Sequence, residues 1–215
     1  MPRFSLALLS ALLVLVACGG GSSNAPAGPS AASVAVQARD LPSGMTRCDL
    51  TGDLNHFISM EQTPDAQGAK TISDDWQQAK KNGAVAAYAA LYADSTAHCD
   101  AIKGSGADLG AATYKLVVNF VVEYKDEKSA VNAYKGQNPI LGFNPNELRT
   151  GGGGVVEGTA TGLTANSIAL TQPAGNQLFY IAIWQDKTFV VILAILNVDA
   201  STAKNVAVKE DSRIK

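Results

Sequence analysis

Only two of the 215 residues are histidine and three are cysteine, which removes most metal and nucleophile chemistry at once. His56 and His98 lie far apart, and neither has the i, i+4 partner that a zinc-binding helix needs. No metal site and no cofactor are expected. Charged residues make up 17% of the chain, with 17 Lys and Arg against 19 Asp and Glu. No run of basic residues stands out, so nucleic acid is not an expected partner. No serine sits in a G-x-S-x-G elbow. Gly151 to Gly154 lacks the Lys-Ser/Thr of a phosphate loop. Gly104 to Gly110 places Leu109 where the third glycine of a dinucleotide fingerprint belongs, and it precedes a strand instead of following one. No catalytic residue is assigned, and the chain is read as a non-enzyme.

Long apolar runs are also missing. The clearest, Phe4 to Val16, falls short of the ~20 residues of a membrane span. It follows one basic residue, Arg3, and ends in Leu15-Val16-Ala17-Cys18 before Gly19-Gly20-Gly21. That is the layout of a secretory signal. Leu15 to Cys18 resembles the lipobox of bacterial lipoproteins. The resemblance implies cleavage after residue 17, acylation of Cys18, and an extracytoplasmic protein whose membrane partner is reached through that lipid. Residues 18–38 are read as the lipidated cysteine and a flexible Gly/Ser/Ala/Pro tether, of which residues 19–33 have a reach of about 20 Å. Residues 39–215 are read as a single domain, long enough to bury its own core.

With Cys18 assigned to lipid, Cys48 and Cys99 remain as an even pair in an oxidising compartment, and they are expected to form a disulfide. The competing reading is a reactive thiol beside His98.

Helical spacing and charge order predict a helix over 73–82. Ser73 is its cap, Asp74 and Asp75 its first turn, Lys80 and Lys81 its last, Gly83 its stop, and Trp76 and Ala79 its inward face. A shorter helix is expected from Asp53 to Met60 on Leu54, Phe57 and Ile58. From Ala84 to Tyr92, Val85, Tyr88 and Tyr92 fit a helix, whereas Tyr88, Ala90 and Tyr92 fit a strand face. Gly83 before it and Asp94-Ser95 after it favour the strand. Tyr114 to Tyr124 alternates as a strand with one apolar face and one partly wet face carrying Lys115, Asn119 and Glu123. Asp126 should cap a helix to Tyr134, and Asn144 to Arg149 should add a turn.

Val155 to Thr161 and Ser167 to Thr171 read as short strands. Leu178 to Trp184 and Thr188 to Leu196 read as a hairpin through Gln185-Asp186-Lys187. Phe189 to Leu196 has no polar position on either face, so both faces must be covered. A helix from Asp199 to about Val208 closes the chain. The order predicts an α+β fold, a largely antiparallel sheet packed by a few helices. It is faintly similar to the PsbP-like α/β-sandwich in element order.

Tyr88, Tyr92, Tyr114, Tyr180 and Trp184 are the candidate ligand contacts, since each offers a flat apolar face with a polar handle. The preferred function is a lipid-anchored binding or interaction domain for a small apolar or peptide ligand, or for an envelope protein. A pocket beneath the 178–196 hairpin would favour the small ligand. The alternative is an envelope hydrolase with His98 or His56 as general base.

Overall fold

The computed structural model describes residues 28–104, 112–136, 138–150, 152 and 154–215. The stretch read as a signal, Cys18 and the first part of the expected tether lie outside the described residues, as does most of the Gly104–Gly110 stretch.

In chain order the elements are α1 (Ala31–Val34), β1 (Thr46–Arg47), β2 (Gly52–Asp53), α2 (Leu54–Glu61), α3 (Ala66–Lys81), β3 (Ala84–Ala93) and α4 (Thr96–Ala101). Then come β4 (Leu116–Tyr124), α5 (Glu127–Lys135), α6 (Pro145–Thr150), β5 (Gly154–Glu157), β6 (Ser167–Ala174), β7 (Gln177–Asp186), β8 (Phe189–Leu196) and α7 (Ala200–Asp211). Side-chain oxygens of Asp53, Asp65, Ser95, Asp126 and Asp199 cap the helices they precede. Each satisfies amide donors that the first helical turn leaves without partners.

The strands form one antiparallel sheet in the order β1-β3-β4-β8-β7-β6-β5, with β2 also paired to β3. β4 and β8 lie at its centre, and residues 189–193 of β8 are buried on both faces. One face packs on α2 to α6 around Phe57, Trp76, Phe120, Tyr134 and Ile183. The other packs on α1 and α7 around Val34, Tyr92, Trp184, Leu193 and Val206. The chain is therefore a single α+β domain in three layers.

Three expectations about the elements are corrected. The helix read at 73–82 begins at Ala66, because Asp65 accepts the Gly68 N–H at 2.9 Å and caps it a full two turns before Ser73. Its stop is as expected, with Gly83 at φ +99°. The second face of β4 is wet only towards its ends, where Lys115 is exposed and Glu123 half-buried, because Asn119 between them is fully buried beneath α7. The stretch 155–161 is a strand only to Glu157, after which Gly158–Thr161 form a single 3-10 turn.

The tether is also shorter than its composition implied. Ala31, Val34, Ala35 and Val36 are all buried against the sheet. Arg213 donates to Val34 O at 2.9 Å and Ala35 O at 3.0 Å, and pairs with Asp40 at 2.9 Å. Val36 N–H reaches Asn119 Oδ1 at 3.0 Å, and the Tyr92 hydroxyl donates to Val36 O at 3.2 Å. These contacts come from residues far along the chain, so the domain begins near Ser30 and not at residue 39. Small side chains suit this position because they let the backbone approach the sheet closely.

Candidate functional site

The strands of the first face end in a trough. Its floor crosses Phe179 and Ile181 of β7, Ala194 and Leu196 of β8, and Leu116 and Val118 of β4. Its roof is Phe143, held by a tight turn in which Ile140 and Phe143 exchange backbone hydrogen bonds at 2.7 and 3.0 Å. The two central residues, Leu141 and Gly142, have φ of +50° and +84°, the left-handed pair of a type I′ turn. Leu141 is strained there, and burying its side chain offsets the strain.

The trough comprises two neighbouring cavities that share Leu116, Val118 and Phe143 as walls. The lobe over β7 and β8 encloses about 210 Å³ and has only apolar side chains in its walls. The lobe under α2 and α3 encloses about 220 Å³ and brings Leu50, Phe57, Ile72 and Ile102 together, with Glu61 and Asp65 also in its lining. Both carboxylates already take a backbone N–H: Glu61 from Gly104 at 2.9 Å, Asp65 from Gly68. Side by side the two cavities span the sheet from β7 to β3, three strand spacings or about 14 Å. The β7–β8 cavity offers a polar group no hydrogen-bond partner from its side chains, so it favours an apolar occupant.

None of the five aromatic candidates lines this trough. Tyr88, Tyr92, Tyr180 and Trp184 belong to the opposite face, and Tyr114 packs on the trough side of the sheet but away from the slot. Tyr92, Tyr180 and Trp184 are core residues with at most 4% exposure. Burial pushes the Tyr180 phenol up to about 12. Tyr88 accepts a hydrogen bond from Arg47 at 3.0 Å. Strand parity decides the partition: residues 180, 182 and 184 alternate with 179, 181 and 183, and only the odd set faces α2 to α6. The trough residues were missed because isolated Val, Leu and Phe on a strand carry no local signal that separates a wall from a core.

The histidines lie elsewhere. His56 bonds Asp49 O at 2.7 Å beside the start of α2. The His98 imidazole pairs with Asp94 and stacks on Tyr114, with ring centroids 4.3 Å apart. Desolvation works to raise the Asp94 carboxyl, but the Lys115 N–H and His98 outweigh it and hold the group below its usual range. Among the described residues no serine, threonine or cysteine side chain bonds either imidazole, and no group of three or more His, Cys, Asp or Glu could hold a metal ion. The dyad ties α4 to the ends of β3 and β4. Beside it Cys48 and Cys99 are joined in a disulfide, with Cα atoms 5.2 Å apart, which removes the reactive-thiol reading.

No protein-family model matches this chain, and no curated protein matches it. Among solved structures, the fold is similar to the extracellular domain of PknH from Mycobacterium tuberculosis. The match covers 85% of this chain and 93% of that one, with a TM-score of 0.50 and 11% sequence identity. At that identity the likeness concerns the layered fold alone.

Proposed function

We propose that this chain is a non-catalytic, extracytoplasmic binding domain, held at a bacterial membrane by a lipid on Cys18, whose trough takes a small aliphatic ligand. The observation that carries the reading is the β7–β8 cavity of the trough, about 210 Å³ at the strand ends and walled by apolar side chains with no charged group. Apolar concavity with few polar groups is the usual character of a small-molecule site. The disulfide and the likeness to an extracellular domain support the location.

Two measurements test this. In the first, straight-chain alcohols of increasing length are titrated into the 28–215 domain while the methyl resonances of Val118, Ile181 and Leu196 are followed. Affinity is expected to rise about fourfold per added methylene until the trough is filled, each methylene contributing about 0.8 kcal/mol. The Ala194→Trp variant, which fills the β7–β8 lobe, should abolish the shifts. Equal binding by that variant would place the ligand elsewhere. In the second, metabolic labelling with a palmitate analogue is expected to mark the wild-type chain and leave Cys18→Ala unlabelled. A label that persists in Cys18→Ala contradicts the anchor.

A further inference from the structure

A second concavity lies on the same face of the sheet, at the opposite end from the trough, between the C-terminal end of α3 and α5. It encloses about 280 Å³, near the lower limit of small-molecule sites. Its polar lining is uncharged: Gln78 and Asn82 from the end of α3, Ser129 and Asn132 from α5, and Asn138 beyond it. Tyr124 contributes to its floor from the last position of β4.

Tyr124 is the informative residue. It is 2% exposed, and its hydroxyl has no hydrogen-bond partner among the described residues. The hydroxyl is nonetheless absent from the sealed, unpartnered polar atoms of the core, so the little surface it keeps opens into this cleft. A buried phenol without a partner loses hydrogen bonds it had in water, and a ligand group reaching it restores one. Burial accordingly pushes the phenol up to about 12, which keeps it a neutral donor at any physiological pH.

The rim repeats the same chemistry. Gln78 and Asn82 share a single long contact of 3.5 Å, and the Asn132 and Asn138 amides make no side-chain hydrogen bond among the described residues. A primary amide offers two donors and an acceptor, so four of them with a hydroxyl and a phenol match a molecule bearing several hydroxyls. With no formal charge in the lining, neither an anion nor a cation finds a counter-charge. Ala79, Ala133 and Ile140 supply the apolar patches that the C–H face of a pyranose ring rests against.

We infer that this cleft is a binding site for one uncharged saccharide unit, separate from the aliphatic trough. The test uses the full chain in a detergent without a sugar headgroup, with side-chain amide resonances as the readout and glucose as the probe. Glucose should shift Gln78, Asn82 and Asn132 with millimolar affinity. Tyr124→Phe, which keeps the ring and its packing, should weaken binding about fivefold. Asn132→Leu, at an exposed position, should weaken it by a similar factor without unfolding the chain. Glucose 6-phosphate should bind more weakly than glucose. Shifts absent with glucose, or unchanged by both substitutions, overturn the assignment. So does a capped tripeptide that produces the shifts when glucose does not, or tighter binding of the phosphate ester.

Discussion

Removing the Cys48–Cys99 bridge by the double substitution to alanine is expected to lower stability by about 4 kcal/mol. The bond closes a loop with a sequence separation of 51, and a loop of that size restricts the unfolded chain by about that amount in the chain-entropy model. Its folded-state surroundings add to the effect. Both cysteines are buried, Cys48 just after β1 and Cys99 on α4, so the link holds two short elements against the β3 edge. Neither element is long enough to be stable alone. Urea unfolding should show an earlier midpoint and a steeper dependence on denaturant, because the uncrosslinked chain exposes more surface when it unfolds. Reduced wild-type protein should behave like the double variant. If oxidised and reduced protein unfold at the same urea concentration, the bridge does not staple the fold.

The second large effect is a pH dependence centred on Glu210. Its side chain is fully buried beneath α7, with Oε1 accepting from Asn119 Nδ2 at 2.8 Å and Oε2 without a partner. Burial raises its carboxyl well above the usual range, and the Asn119 hydrogen bond and the Arg213 charge only partly counter it, while Asp40 and Asp211 push it further up. The folded state therefore holds a proton that the unfolded chain releases near pH 4.3. Stability is fully present below that pH and falls as pH rises towards the folded value, by up to about 1.4 kcal/mol per pH unit. Glu210→Gln keeps an oxygen for Asn119 and cannot ionise. The two proteins should have similar stability in acid, and the variant should become the more stable as pH rises. Asp211, half-buried and also raised by desolvation, remains in both and cancels from the comparison. Parallel stability profiles from acid to neutral pH would mean that Glu210 is not held protonated.

Glu210 and Asn119 also show why part of the fold was illegible. In the sequence each sits where polarity implies solvent, Glu210 beside Asp211 near a chain end and Asn119 on the nominally wet side of a strand. They bond to each other across 91 positions, and no local window registers such a pair. The N-terminal segment is a like case. Ala31 to Val36 look like linker because they are small, yet Arg213 and Asn119 strap them to the sheet. The start of α3 has a simpler reason: Ser73 and Asp65 are both competent caps, and only the backbone shows that the first turn follows Asp65.

The residues alone determined what local chemistry can determine. They set the strand at β4, the two-sided burial of Phe189 to Leu193, the stop at Gly83, the pairing of two leftover cysteines and the α+β class. Strand pairing order, the face each aromatic points to and the enclosure of the trough came only with the tertiary structure. These depend on which distant strand ends meet, and side chains such as Val118, Phe143 and Ala194 acquire a role only from the neighbours that the fold brings to them.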